Sequence, residues 1–110
     1  MNFKDKSLIV DSLIKLAKES KLNTEQRKRL LNIVEKLTKA TETQKERFIM
    51  YYGLSENKNE RKSLIEIAKI YGTTASAIRC SLVSIRNKLL RMKDDFDVLE
   101  QIVMECEKSE

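Results

Sequence analysis

The stretch Lys62–Leu89, KSLIEIAKIYGTTASAIRCSLVSIRNKL, limits what this chain can fold into more than any other segment. It holds two apolar-periodic runs on either side of Gly72-Thr73-Thr74. In the first run, from about Ser63 to Tyr71, the residues Leu64, Ile65, Ile67, Ala68 and Ile70 cluster on one side at helical spacing. Gly72 follows the last apolar turn, where a left-handed residue ends a helix. Thr74 stands where a hydroxyl N-cap belongs, immediately before the second run. There Ile78, Leu82, Ile85 and Leu89 recur at intervals of four, three and four and share one stripe. Ala75, Ser76, Arg79, Cys80, Val83, Arg86 and Asn87 take the opposite side. Two helices around a short Gly-containing turn are the helix-turn-helix signature, whose second helix enters the DNA major groove.

The rest of the chain reads as helix as well. With no Pro, two Gly, 41% apolar and 35% charged residues, the composition favours an all-α fold. A chain of 110 residues is one domain with appended helices. It buries about two thirds of its surface, enough for one modest core. From about Lys6 to Ser20, the residues Leu8, Ile9, Leu13, Ile14, Leu16 and Ala17 mark an amphipathic helix. Thr24 is a candidate N-cap for a second, running through Leu30, Leu31, Ile33, Val34 and Leu37 to about Ala40. Arg27, Lys28 and Arg29 are read as its solvated face, with a secondary phosphate contact as the alternative. A helix restarts at Thr41 or Thr43, and Thr43-x-x-Glu46 fits a capping box. Tyr51 and Tyr52 near its end suit core packing with a polar tip. Gly53 closes it, and Ser55–Arg61, SENKNER, is the most loop-like stretch. Asp94 or Asp95 can cap a last helix whose apolar stripe is Phe96, Leu99, Ile102, Val103 and Cys106. The expectation is about six helices in three parts: a helical pair at 1–40, the helix-turn-helix unit at 41–92 and an acidic helix at 93–110.

Charge is distributed unevenly. Residues 94–110 hold seven acids and one base, so residues 1–93 carry a net charge of +11 against +5 for the whole chain. A basic body suits a polyanionic partner, and the acidic end would repel one. Cys80 and Cys106 lie on different predicted helices with no His in the chain, which fits reduced thiols rather than a zinc site or a disulfide. The start, MNFKDKSLIV, lacks the long apolar core of a signal peptide, and no apolar run is long enough to span a bilayer. A cytoplasmic protein without a membrane partner is expected. Catalysis is not: without His, without a Gly-rich loop and without a partnered Cys, the residues of an active site are missing, and no cofactor is implied.

The stretch from about Thr41 to Arg91 resembles region 4 of the bacterial sigma factor family. The resemblance runs through Arg47–Leu54 (RFIMYYGL), Ser63–Gly72 (SLIEIAKIYG) and the closing pattern of Ile78, Leu82, Arg86, Lys88 and Leu89. It implies a fold of the winged-helix-like class without a wing, binding to a −35-type promoter element and contact with RNA polymerase. It covers roughly half the chain and leaves no room for the family's −10-recognition domain, so it implies a stand-alone bacterial, phage or mobile-element regulator, or equally half of a split sigma factor whose second chain supplies −10 recognition. Recognition helices in the family usually carry several charged or polar residues early, whereas Ala75, Ser76 and Ala77 are small.

Double-stranded DNA is therefore the expected partner, with the recognition helix at about Ala75–Arg91. Arg79, one turn in and away from the apolar stripe, suits a bidentate contact to guanine. Ala75 and Ala77 suit a thymine methyl, and Ser76 a base or a phosphate. Thr73 and Thr74 place the helix N-terminus towards a phosphate. Lys62 and Ser63 begin the helix that crosses the backbone, and Arg86, Asn87 and Lys88 reach phosphates farther along. Cys80 and Val83 complete the face. RNA polymerase is the expected protein partner, and the N- or C-terminal helices leave room for a homodimer. The alternative is an interaction module that binds polymerase or another regulator without reading DNA.

Overall fold

Short polar side chains decide where the helices begin. The computed structural model describes residues 5–55 and 61–108, and among them are six helices and no strand. They are α1 (Lys6–Lys18), α2 (Thr24–Glu35), α3 (Glu42–Tyr52), α4 (Leu64–Tyr71), α5 (Ala75–Arg91) and α6 (Phe96–Lys108). The all-α composition is expressed as an all-helical fold. The expected loop Ser55–Arg61 spans residues 56–60, which lie outside the described residues.

Asp5 caps α1 by accepting from the Ser7 N–H. Three helices open with reciprocal capping boxes: Asn23 with Gln26, Thr41 with Gln44, and Ser63 with Glu66. Thr74 caps α5, its hydroxyl oxygen accepting from the Ala77 N–H at 3.1 Å. Each cap satisfies a backbone donor that the helix itself leaves open. Two expected caps are corrected. Asn23 rather than Thr24 starts α2, and the box of α3 is Thr41 with Gln44, not Thr43 with Glu46. In both places an extended residue just upstream takes the cap. The helix α2 also stops at Glu35 instead of Ala40. The Lys45 ammonium donates to the Glu35 carbonyl at 2.8 Å, placing a cation at that C-terminus, where the helix dipole favours one. Neither Asp94 nor Asp95 caps α6 through its side chain; Asp95 precedes the helix in left-handed backbone at φ 66°.

The main core draws on five helices: Ile9, Val10, Leu13 and Ala17 of α1, Leu30, Ile33 and Val34 of α2, Phe48 and Tyr52 of α3, Ile85 and Leu89 of α5, and Leu99, Ile102 and Val103 of α6. Each fully buried side chain of this size contributes roughly 1.5–3 kcal/mol. The acidic helix α6 packs on α1 and α2. A smaller cluster joins α4 to the first half of α5 through Ile67, Ala68 and Ile78, with Met50, Tyr51, Leu64 and Tyr71 packed around it.

Several expected core positions are not fully buried: Ile14, Leu16, Leu31, Leu64, Phe96 and Cys106 are half-buried, and others move farther. Leu8 is exposed and Val10 buried in its place. Ile65 and Ile70 of α4 are exposed, at 63% and 57%, because among the described residues α4 packs mainly on α3 and α5 and needs one narrow stripe. On α5, Leu82 is half-buried, and Ser81 takes the interior position. The Ser81 hydroxyl accepts from the Arg47 guanidinium at 2.9 Å. That guanidinium also lies 4.6 Å from the centre of the Tyr71 ring, and the Tyr71 hydroxyl donates to Glu46 at 2.6 Å. Burial, then this hydrogen bond, push the Tyr71 hydroxyl up to about 12. Arg47 thus ties α3 to α4 and α5 at once. No helix among the described residues is long and apolar enough to cross a membrane.

Gly72 ends α4 at φ 63°, and the N–H of Thr73 closes the turn onto the Ala68 carbonyl at 2.9 Å. A Cβ there would meet nothing within 4 Å, so the demand on this position is purely conformational. Gly72→Ala is expected to lower unfolding stability by about 1–2 kcal/mol, the cost of left-handed backbone for an L-residue. Gly72→Asn is expected to cost less, because Asn visits that region readily. Urea denaturation of the two variants checks the order; equal losses would place the cause in packing.

Candidate nucleic-acid interface

The turn Gly72–Thr74 sets α5 against α4 so that the buried stripe of α5 faces inward and the opposite side stays open. Ser76, Arg79, Cys80 and Val83 are exposed on that side, and Ala75, Arg86 and Asn87 are half-exposed. Sequence and structure agree on this face, which is set by helical spacing alone. Thr73 is half-buried in the turn. The N–H groups of Ala75 and Ser76 lie in the first turn of α5, beyond reach of any intrahelical acceptor.

A cleft of about 630 Å³ opens between the N-terminal ends of α4 and α5. Lys18, Arg61, Lys62 and Arg79 line it, with Glu66 as the single acid among the described residues. Glu66 is already engaged: the Ser63 N–H donates to its carboxylate at 2.8 Å, which holds it below its ordinary range. The Arg61 guanidinium donates to the Lys18 carbonyl at the end of α1. Arg79 makes no hydrogen bond or ion pair with the described residues. The cleft therefore presents a cationic wall beside the free amides of α5, with Tyr51, Leu64 and Ile65 as its apolar part. Tyr51 is half-buried and packs edge-on against Tyr52 at 4.9 Å.

The expected phosphate contacts are not equally available. Arg86 is held by Asp11 of α1, its Nε and Nη2 donating to the two carboxylate oxygens at 2.7 and 3.1 Å. A bidentate pair of this kind fixes orientation as well as charge. Lys88 donates to the Ser84 hydroxyl at 2.8 Å, one turn back along α5. Lys62 and Ser63 sit at the entrance of α4, where the Ser63 hydroxyl oxygen accepts from Glu66 N–H. In the Arg27–Arg29 run only Lys28 is exposed. Arg27 donates to the Leu22 carbonyl at 2.9 Å, and Arg29 pairs with Glu105 of α6 at 2.8 Å.

Lys18 and Arg61 escape a reading of the sequence. Lys18 reaches the cleft only because α1 packs against α5, and nothing in the spacing of either segment announces it. Among the described residues, no group of three or more His, Cys, Asp or Glu side chains is placed to hold a metal ion. No protein-family model matches the chain, and no curated protein or solved structure matches it.

The Arg86 guanidinium holds the Asp11 carboxyl below its ordinary value of 3.8, so folding favours the ionised form. Its contribution is complete above that unfolded value and is lost as pH falls through the lower, folded one. At neutral pH, Asp11→Asn is expected to lose no more than about 1 kcal/mol, since more than half of the side chain is solvated. The gap to wild type should close as the solution is acidified below 3.8. Chemical denaturation across pH checks this, and a gap that persists in acid would remove the ion pair as its cause.

Proposed function

We propose that this chain is a sequence-specific DNA-binding transcription regulator or sigma-like factor that acts with RNA polymerase at promoters. α4, the Gly72–Thr74 turn and α5 are read as a helix-turn-helix, with α5 lying in the major groove. The observation that carries the reading is Arg79: exposed, unpartnered among the described residues, one turn into a Thr74-capped helix and beside a cleft with three further cations. That arrangement offers a guanidinium to a base edge while Lys18, Arg61 and Lys62 meet phosphates. The resemblance of residues 41–91 to sigma region 4 supports the same reading.

A second reading rests on Ile65 and Ile70, two large apolar side chains that α4 leaves in solvent. In that reading α4 docks on polymerase or another regulator, and the small residues Ala75, Ser76 and Ala77 do not read bases. Selection of randomised duplexes by the purified protein at near-physiological salt separates the two. An enriched motif supports base reading. Retention of polymerase without DNA enrichment supports docking.

Arg79→Ala is expected to weaken binding to the enriched site by roughly 1–3 kcal/mol and to relax preference at one base pair. Fluorescence anisotropy on the specific and a scrambled duplex measures it. Equal loss on both duplexes would reduce Arg79 to a phosphate contact.

A further inference from the structure

We infer that the far end of α5 from Arg79 carries a second phosphate-binding surface, which grips the backbone of the same DNA duplex. The inference rests on the DNA-binding reading proposed above. Two adjoining clefts, of about 380 and 340 Å³, share Leu37, Thr38 and Met92. Lys39, Lys88 and Arg91 line the first, and Lys36 and Lys93 line the second. These cations come from three separate segments: the α2–α3 link, the last turn of α5 and the α5–α6 link. Among the described residues, Asp94 and Asp95 are the only acids in either lining, both in the second cleft. Lys36, Lys39, Arg91 and Lys93 are exposed. Lys88 is half-buried, with its ammonium on the Ser84 hydroxyl.

The surface is continuous with the reading face. Ser76, Cys80, Val83, Asn87 and Arg91 follow one another at intervals of four, three, four and four, a single stripe along α5. Arg91 lies about 18 Å along the helix axis from Arg79, at 1.5 Å per residue. A duplex lying along that stripe passes from the Arg79 cleft to the Lys39–Arg91 cleft. Basic residues in the last turn of a helix also suit its dipole, which accounts for Arg91 but not for Lys39 or Lys93 in the links. A free phosphate or an acidic peptide would occupy the cluster by itself. Continuity with the stripe selects a polymer carrying phosphates at regular spacing.

The test compares wild type, the double variant Lys39→Gln, Arg91→Gln, and the control Lys108→Gln on α6. Binding to a random-sequence duplex and to the enriched duplex is followed by anisotropy as salt is raised. The double variant is expected to shallow the log K against log salt slope by about 1.8, since each lost phosphate contact removes about 0.9. Lys108→Gln should leave the slope unchanged, and selection with the double variant should return the wild-type motif. A wild-type slope in the double variant overturns the second surface while leaving DNA binding intact. A changed motif also overturns it, because phosphate contacts carry no base preference. Wild type that binds no DNA overturns both readings together. If the double variant fails to fold by circular dichroism, the single variants serve, each expected to shallow the slope by about 0.9.

Discussion

The structure depends on the buried stripe of α5, a helix shared by two cores. Ile78 belongs to the small cluster with Ile67 and Ala68 of α4, while Ile85 and Leu89 belong to the main cluster with α1, α2, α3 and α6. The helix α4, with eight residues, is too short to be stable alone. It holds its place because the first half of α5 and Met50 and Tyr51 of α3 cover its one buried face. Arg47 reinforces the junction, with its guanidinium on Ser81 and against the Tyr71 ring. A buried serine in an otherwise apolar stripe is tolerable because that hydroxyl has a charged partner.

Local signals were legible in the sequence, and long-range pairings were not. Gly72 and Thr74 were readable because left-handed backbone and an N-cap hydroxyl are demands of the residues themselves. The extent of α5 followed from its spacing, and so did its open face. Caps were misplaced where two short polar residues compete within three positions, as Asn23 and Thr24 do, or Thr41 and Thr43. The exposure of Ile65 and Ile70 is hidden because α4 has six hydrophobic residues among eight and a stripe that needs fewer. The pairs Arg86–Asp11 and Arg29–Glu105 join residues 75 and 76 positions apart, and no local pattern announces such partners. The same holds for Lys18 and Arg61 in the cleft.

These pairings also account for where the charge goes. The basic body and acidic end do not collapse onto each other wholesale. One acid of α6, Glu105, takes Arg29 and accepts from Gln26, and the apolar stripe of α6 is satisfied by α1 and α2. Those hydrogen bonds, Arg29 first, hold the Glu105 carboxyl below its ordinary range. The helix α6 is thus anchored mainly by its buried Leu99, Ile102 and Val103, with the ion pair fixing its rotation. Among the described residues, the acid lining the α4–α5 cleft is Glu66, which is spent on its own cap.

Arg79 and Arg86 show how one helix face divides its work. They are seven residues apart, two turns, and project from nearly the same side of α5. Arg86 is drawn into α1 by Asp11, which turns a surface arginine into a brace. The pair ties α5 to the N-terminal helix at that point, beside the buried contacts of Ile85 and Leu89. Arg79, with no such partner among the described residues, keeps a solvated guanidinium on a helix whose position is set by its buried Ile78, Ile85 and Leu89. Rigid placement of the scaffold leaves little backbone entropy to be lost when that guanidinium meets a ligand. Under the proposed function, Arg79 is offered to a base edge, and the cations spread along the rest of the stripe meet phosphates.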